Sequence, residues 1–231
     1  MSLRKLIATA RALRELGFDE VYITEDITKE NHEEPVKEEE EKEDKAELLR
    51  KLYQQMEEER KCILYEGASG YVFGEGDPNS PVVFVGEAPG EEEDKLKRPF
   101  VGRAGQYLNS KLEQVGLKRE KVYITNVVKS RPPGNRTPTR EEMMTCLPYL
   151  RKEIEIIKPK LLVCLGSTAM KGILGKEYSI TKYRGQIFPY PYNPNIKVLL
   201  TYHPAYVLRN PSADKEFTED LKKVVQLISQ A

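Results

Sequence analysis

A chain of 231 residues with 39% apolar and 32% charged side chains is long enough to bury one sizeable core, and a soluble fold with one catalytic domain is expected. Lys plus Arg and Asp plus Glu number 37 each, so the formal charge is zero, and no apolar run approaches the roughly 20 residues that cross a bilayer. Three cysteines, Cys62, Cys146 and Cys164, with only His32 and His203 beside them, exclude a disulfide framework and a self-sufficient zinc site.

The opening MSLRKLIATARALREL is interrupted by Arg4, Lys5, Arg11 and Arg14 where a secretory signal would be continuously apolar, so a cytoplasmic protein is expected. Leu3, Leu6, Ile7, Ala10 and Leu13 recur at helical spacing before Gly17, which predicts a short amphipathic helix. Residues 29–45 are nearly devoid of apolar groups and cannot offset their chain entropy by burial, which predicts a linker or exposed helix start. The expected organisation is an N-terminal helical and acidic extension over 1–44 and a catalytic domain over 45–231 that opens on a charged helix near 45–61. The apolar stripe of the extension must be buried somewhere, on the catalytic domain or on a protein partner for residues 1–28. Residues 1–66 hold 19 acidic and 12 basic side chains, leaving 18 acidic and 25 basic in 67–231, a net of +7. That balance suits a phosphate backbone, and a lysine-rich solvated surface equally.

From residue 81 short apolar runs alternate with helical segments: 82–86 (VVFVG), 121–128 (KVYITNVV), 161–166 (LLVCLG) and 197–203 (KVLLTYH). Continuous Val, Ile and Leu runs predict strands covered on both faces, and the alternation predicts parallel pairing through right-handed crossovers. The expected fold class is α/β, a three-layer α/β/α sandwich on a four-stranded parallel sheet, with helices near 103–115, 139–157, 167–174 and 214–229.

Polar residues cluster where these strands end: Gly86-Glu87-Ala88-Pro89-Gly90 after the first, Asn126 in the second, Gly166-Ser167-Thr168 after the third, His203-Pro204 after the fourth. Open α/β sheets bind ligands outside that edge, so four distant segments converge on one crevice. His203 precedes a proline, which favours a turn over a continuing helix, and a hydrogen-bonding or proton-transfer role follows, with a satisfied core histidine as the alternative. Asn126 sits in an apolar run where an unpaired amide costs about 1–3 kcal/mol, so either a turn or a ligand must pair it. Glu91, Glu92, Glu93 and Asp94 read as a solvated helix start. The glycines at 86, 90, 102 and 105 fit neither the dinucleotide fingerprint nor the P-loop, which disfavours nucleotide hydrolysis.

VFGEG at 72–76, GEAPGEEED at 86–94, RPFVGRAGQYL at 98–108, VYITNVVKSRPPGNR at 122–136 and HPAYVLRNP at 203–211 resemble the family 4 uracil-DNA glycosylases, from about Cys62 to Leu227. The resemblance implies a DNA-repair hydrolase that acts on uracil flipped out of DNA and leaves an abasic site. It implies that Phe100 stacks on the extruded ring, that Asn126 reads uracil N3–H and O4, and that Glu93 blocks a thymine methyl. His203 would donate to uracil O2, the Ala88 carbonyl with Glu87 nearby would position water, and Arg131, Arg136 and Arg209 would hold phosphates.

One departure stands out. The family commonly holds a 4Fe–4S cluster on four cysteines; Cys62 and Cys146 match two of those positions, while Glu59 and Ser130 occupy the others. The cluster is expected to be absent, no metal or other cofactor is expected, and packing or ordinary hydrogen bonds should fill its place. Cys164, inside the third strand, reads as core. The expected protein is a monomer that binds uracil-containing DNA and no membrane. The missing ligands and the added extension motivate a rival reading, a DNA-binding or partner-recruiting protein that keeps the fold with weakened turnover.

Overall fold

The computed structural model describes residues 44–230. Helix α1 (Lys45–Glu59) starts where the Asp44 side chain accepts from the Ala46 N–H. The chain then reaches a six-stranded sheet with the order β1-β3-β2-β4-β6-β5. Its strands are β1 (Glu75–Gly76), β2 (Val82–Gly86), β3 (Tyr123–Asn126), β4 (Leu161–Leu165), β5 (Ile187–Tyr190) and β6 (Asn193–Thr201). The four central strands, β3-β2-β4-β6, run parallel and are the four apolar runs of the sequence. The expectation of a sheet limited to those four is corrected, because β1 and β5 add antiparallel edges. Two-residue β1 is too short to show a pattern. β5 carries Pro189, which has no N–H to donate and is tolerated where one side of the strand needs no partner.

Alternation assigns the strand residues to two cores. Val83, Val85, Leu162, Cys164, Val198 and Leu200 face one side, Val82, Phe84, Leu161, Val163, Leu165 and Leu199 the other. Helices α4 (Arg140–Ile157) and α5 (Ser167–Leu174), together with α1, cover the first side through Leu52, Met56, Leu150, Ile154 and Met170. Helices α3 (Arg103–Gln114) and α8 (Asp214–Ser229) cover the second through Leu108, Leu112, Phe217, Leu221 and Val224. This is the expected three-layer arrangement; the bounds of α3, α4, α5 and α8 agree with those expected to within a residue, and α1 ends two residues before the expected 61. Short helices α2 (Glu91–Leu96), α6 (Ile180–Tyr183) and α7 (Pro204–Arg209) lie in the connections. The predicted helix near 3–16 and the acidic linker fall outside the described residues, except for the start of α1.

From β2 the chain crosses to β3 on one side and later returns to β4 on the other, so the end of β2 lies at the switch in strand order. Beyond β3 the Val127 and Val128 N–H groups donate to the Gly86 and Glu87 carbonyls, 3.0 Å each, and hold the two strand exits together. No helix among the described residues is long and apolar enough to cross a membrane.

Candidate active site

A crevice of about 1040 Å³ opens at the carboxyl ends of β2, β3, β4 and β6. Eight of the nine residues singled out as site residues line it: Glu87, Ala88, Glu93, Phe100, Asn126, Arg136, His203 and Arg209. Arg131 does not; its guanidinium donates to Asn135 Oδ1 at 2.7 Å and faces Glu91 at 3.6 Å.

Asn126 closes β3 opposite Gly86 of β2. Its side chain is buried, and Oδ1 is the one buried side-chain polar atom without a hydrogen-bond partner among the described residues. A buried acceptor left open costs about 1–3 kcal/mol, so its retention points to a donor that arrives with a ligand. Gly86 makes room for it, since a Cβ there would collide with Asn126 Oδ1 and the Phe100 ring.

Phe100 adopts a left-handed backbone, φ 53°, a conformation that costs a bulky residue on the order of 1 kcal/mol or more. Its neighbours enforce it. Glu93 Oε1 accepts from the Val101 and Gly102 N–H groups at 2.9 and 2.7 Å, and Oε2 accepts from Gly90 at 3.1 Å. Arg119 donates to the Pro99 and Phe100 carbonyls at 2.5 and 2.9 Å, and Gly105 packs so closely that a Cβ would strike the Phe100 carbonyl. The acidic start of α2 is therefore not simply a solvated helix end: Glu93 shapes the loop that presents Phe100, and Asp94 is buried. The Phe100 and His203 rings stand 5.8 Å apart at 32°.

His203 caps α7. Its Nδ1 accepts from the Ala205 N–H at 3.0 Å, so the proton of the neutral ring resides on Nε2, which has no partner among the described residues. Burial, with help from the Arg209 charge, pushes the imidazole down to about 4 against a smaller opposing effect of Glu93. The ring is thus a neutral donor at pH 7. Gly166, at φ 92°, lets the chain turn out of β4, and a Cβ added there would come within 3.1 Å of the His203 Cβ.

Glu87 accepts a hydrogen bond from the Thr168 hydroxyl across the crevice. Ala88 offers only its main chain. Arg136 forms a two-pronged pair with Glu142, at 2.8 and 2.6 Å, inside the Thr139–Glu142 capping box of α4. That carboxylate is held down at about 2, chiefly by Arg136. Arg209 and Arg103 line the crevice and make no hydrogen bond or ion pair among the described residues. Neither Arg119 nor Arg103 was singled out in the sequence, although both belong to the motif-bearing stretches or flank them. Leu208, beside Arg209, is an apolar residue left 38% exposed.

Away from the crevice, the four positions that match the family's cluster ligands lie around the junction of α1 and α4. Cys62 and Cys146 form a disulfide, Glu59 accepts from the Tyr149 hydroxyl, and the Ser130 hydroxyl donates to the Gly70 carbonyl at 3.1 Å. The expected hydrogen bonds are present, and the expectation that packing or hydrogen bonds alone fill the place is corrected: the two cysteines that match ligand positions of one cluster pair with each other. Cys164 is free and buried in the core, as expected.

Residues 73–226 match the model of the uracil DNA glycosylase superfamily. The chain belongs to that superfamily. It is 45% identical over 185 residues to the type-4 uracil-DNA glycosylase of Sulfurisphaera tokodaii, covering 78% of this chain and 84% of that protein. The type-4 enzyme of Thermotoga maritima is 45% identical over 189 residues, 80% and 97% of the two chains. A type-5 uracil-DNA glycosylase of Pyrobaculum aerophilum is 34% identical over 148 residues, 56% of this chain and 63% of its own. The superfamily match runs from Phe73 in VFGEG through HPAYVLRNP and spans every residue that lines the crevice.

Proposed function

We propose that this chain is a monofunctional uracil-DNA glycosylase, which takes uracil flipped out of DNA into the crevice and hydrolyses its N-glycosidic bond to leave an abasic site. The unpartnered Asn126 Oδ1 carries the reading. Uracil supplies the missing donor at N3–H and an acceptor for the same amide at O4. Cytosine presents an acceptor at N3 and a donor at C4, so it leaves buried groups unpaired, an error that discriminates strongly.

Phe100, held by Glu93 and Arg119, presents its ring as the stacking surface. Departure of the base leaves negative charge on the pyrimidine and positive charge on the sugar. His203, neutral and with its proton fixed on Nε2, donates to O2 as that charge grows, and such a donor contributes about 10²–10³ in rate. Glu87 and the Ala88 main chain flank the position for water, with Thr168 orienting the Glu87 carboxylate. Glu93 limits the space beside the base edge and excludes the thymine methyl. Arg209 and Arg103 hold phosphates at the rim, while Leu208 is an apolar wedge for the space the base vacates.

The residues present do not fit the family's 4Fe–4S cluster. Two thiolates fall short of four, and the oxygen side chains at the other positions already bond to Tyr149 and Gly70. We therefore read the protein as free of the cluster, acting as a monomer in the cytoplasm.

Alkali cleavage of uracil-containing oligonucleotides tests the function. Strand scission at uracil, with none at cytosine or thymine, is expected; absence of scission would favour the binding-protein reading. In Asn126→Asp the carboxylate accepts from the cytosine amino group and no longer donates to uracil O4, so preference should move toward cytosine. Release of neither base above buffer controls would remove Asn126 as the reader.

A further inference from the structure

Residues 62–72 form a strap between two walls of the crevice. At its start Cys62 is bonded to Cys146 in α4, and the Ile63 N–H donates to the Thr145 hydroxyl at 3.3 Å. Further on, the Ser69 N–H and hydroxyl donate to Asp94 at 3.1 Å, next to Glu93, which shapes the Phe100 loop. Gly70 then accepts from Ser130, and the Val72 N–H donates to the Lys129 carbonyl at 2.7 Å, at the root of the loop that leads to Arg136.

We propose that the Cys62–Cys146 disulfide replaces the cluster as the fastener of this strap, formed by thiol oxidation and tightening the DNA-facing walls when closed. The inference rests on the cluster-free reading above. The two Cα atoms lie 5.3 Å apart, inside the span that one disulfide bridges without backbone movement. Both residues are at most 2% exposed, so exchange with a small external thiol or disulfide proceeds through local opening of the strap. Closure joins residues 84 apart and restricts the unfolded chain, which favours the native state. In the balanced step each thiol loses its proton, and one thiolate attacks a small external disulfide such as oxidised glutathione and expels the first small thiol. The second thiolate then displaces the other, so two protein thiols are oxidised to one bond and the external disulfide is reduced to two thiols. Cys164 stays out of this exchange: it lies within central strand β4, wholly buried, and burial pushes its thiol well above the ordinary range.

The full-length protein, purified without oxygen, is first assayed for iron and then equilibrated with oxidised or reduced glutathione, denatured, alkylated and weighed. One alkylated cysteine, Cys164, is expected under oxidation and three under reduction. Reduction should lower the melting temperature by about 5–10 °C. It should raise KM for uracil-containing DNA several-fold with kcat within twofold, and the Cys62→Ser, Cys146→Ser double variant should show neither response. Three reactive thiols after oxidation, without iron, would overturn the fastener and leave the cluster-free reading standing. About four irons per chain would overturn both. A closed disulfide whose reduction changes neither melting nor KM would remove its role in holding the strap.

Discussion

At the carboxyl edge of the sheet, hydrogen-bonding capacity is left open. Asn126 Oδ1 is buried without a partner, the His203 Nε2–H is unused, and the Arg209 and Arg103 guanidinium groups bind nothing among the described residues. At the four positions near the junction of α1 and α4 the polar side chains are all occupied: sulfur is bonded to sulfur, Glu59 to Tyr149 and Gln55, Ser130 to Gly70. Folding alone favours the second arrangement, because unpaired buried groups cost free energy. The first is tolerated where a ligand completes it. One chain thus leaves polar groups open in its crevice and pairs them at the four positions near α1 and α4, where side chains brace one another and the Gly70 carbonyl.

The contrast breaks most visibly at His203. His203→Ala is expected to slow uracil excision by about 10²–10³, because it removes a donor aimed at transition-state charge, with little loss of folding. Activity within threefold of the parent on folded protein would exclude the residue from the mechanism. The imidazole should titrate near 4 by nitrogen NMR, and a midpoint at 6 or above would contradict a neutral donor held by burial. The folded value lies below that of free imidazole, near 6.5. Stability from this residue is therefore full above pH 6.5 and is lost as the pH falls from there toward 4.

Paired truncations sharpen the difference. Asn126→Ala should slow excision at least about 100-fold yet leave the melting temperature nearly unchanged, since the deleted acceptor was unsatisfied. Ser130→Ala removes the donor to the half-buried Gly70 carbonyl and should cost about 0.5–1.5 kcal/mol, with turnover changed by no more than a few-fold. Thermal melts and single-turnover assays on both variants check this. If Asn126→Ala melts much lower while Ser130→Ala is neutral, the two regions have been assigned the wrong way round.

The central strands and main helices were legible because apolar runs and periodicity are local. Gly86, Asn126 and His203 were legible as strand-end residues because strand ends are where an open α/β sheet binds ligands. The edge strands were not, one being two residues long and the other holding Pro189. Glu93 read as a solvated acid because its partners, Val101 and Gly102, are eight and nine residues on, in a loop whose path only the fold reveals. The pairing of Cys62 with Cys146 needed α1 and α4 to pack. Sequence placed the chemistry on the sheet edge; the braces behind it came from tertiary contacts.

The mildest break concerns phosphate contacts, where arginines of the two kinds stand along one crevice. Arg209 has no carboxylate partner among the described residues and is available to a phosphate, whereas Arg136 must share or leave Glu142, to which it holds two bonds of 2.6–2.8 Å. A phosphate contact releases about 0.9 counterion in duplex DNA, so Arg209→Ala should reduce the slope of log affinity against log salt by about one. Arg136→Ala should change that slope by less and lower the melting temperature instead, because Glu142 loses the partner that holds it ionised at the start of α4. Binding of uncleavable uracil-containing duplex at several salt concentrations distinguishes them. Equal slope changes would mean that the Arg136–Glu142 pair opens on DNA and that its geometry in the free protein does not predict its role; a slope change for Arg136 alone would move the phosphate contact from α7 to the loop before α4.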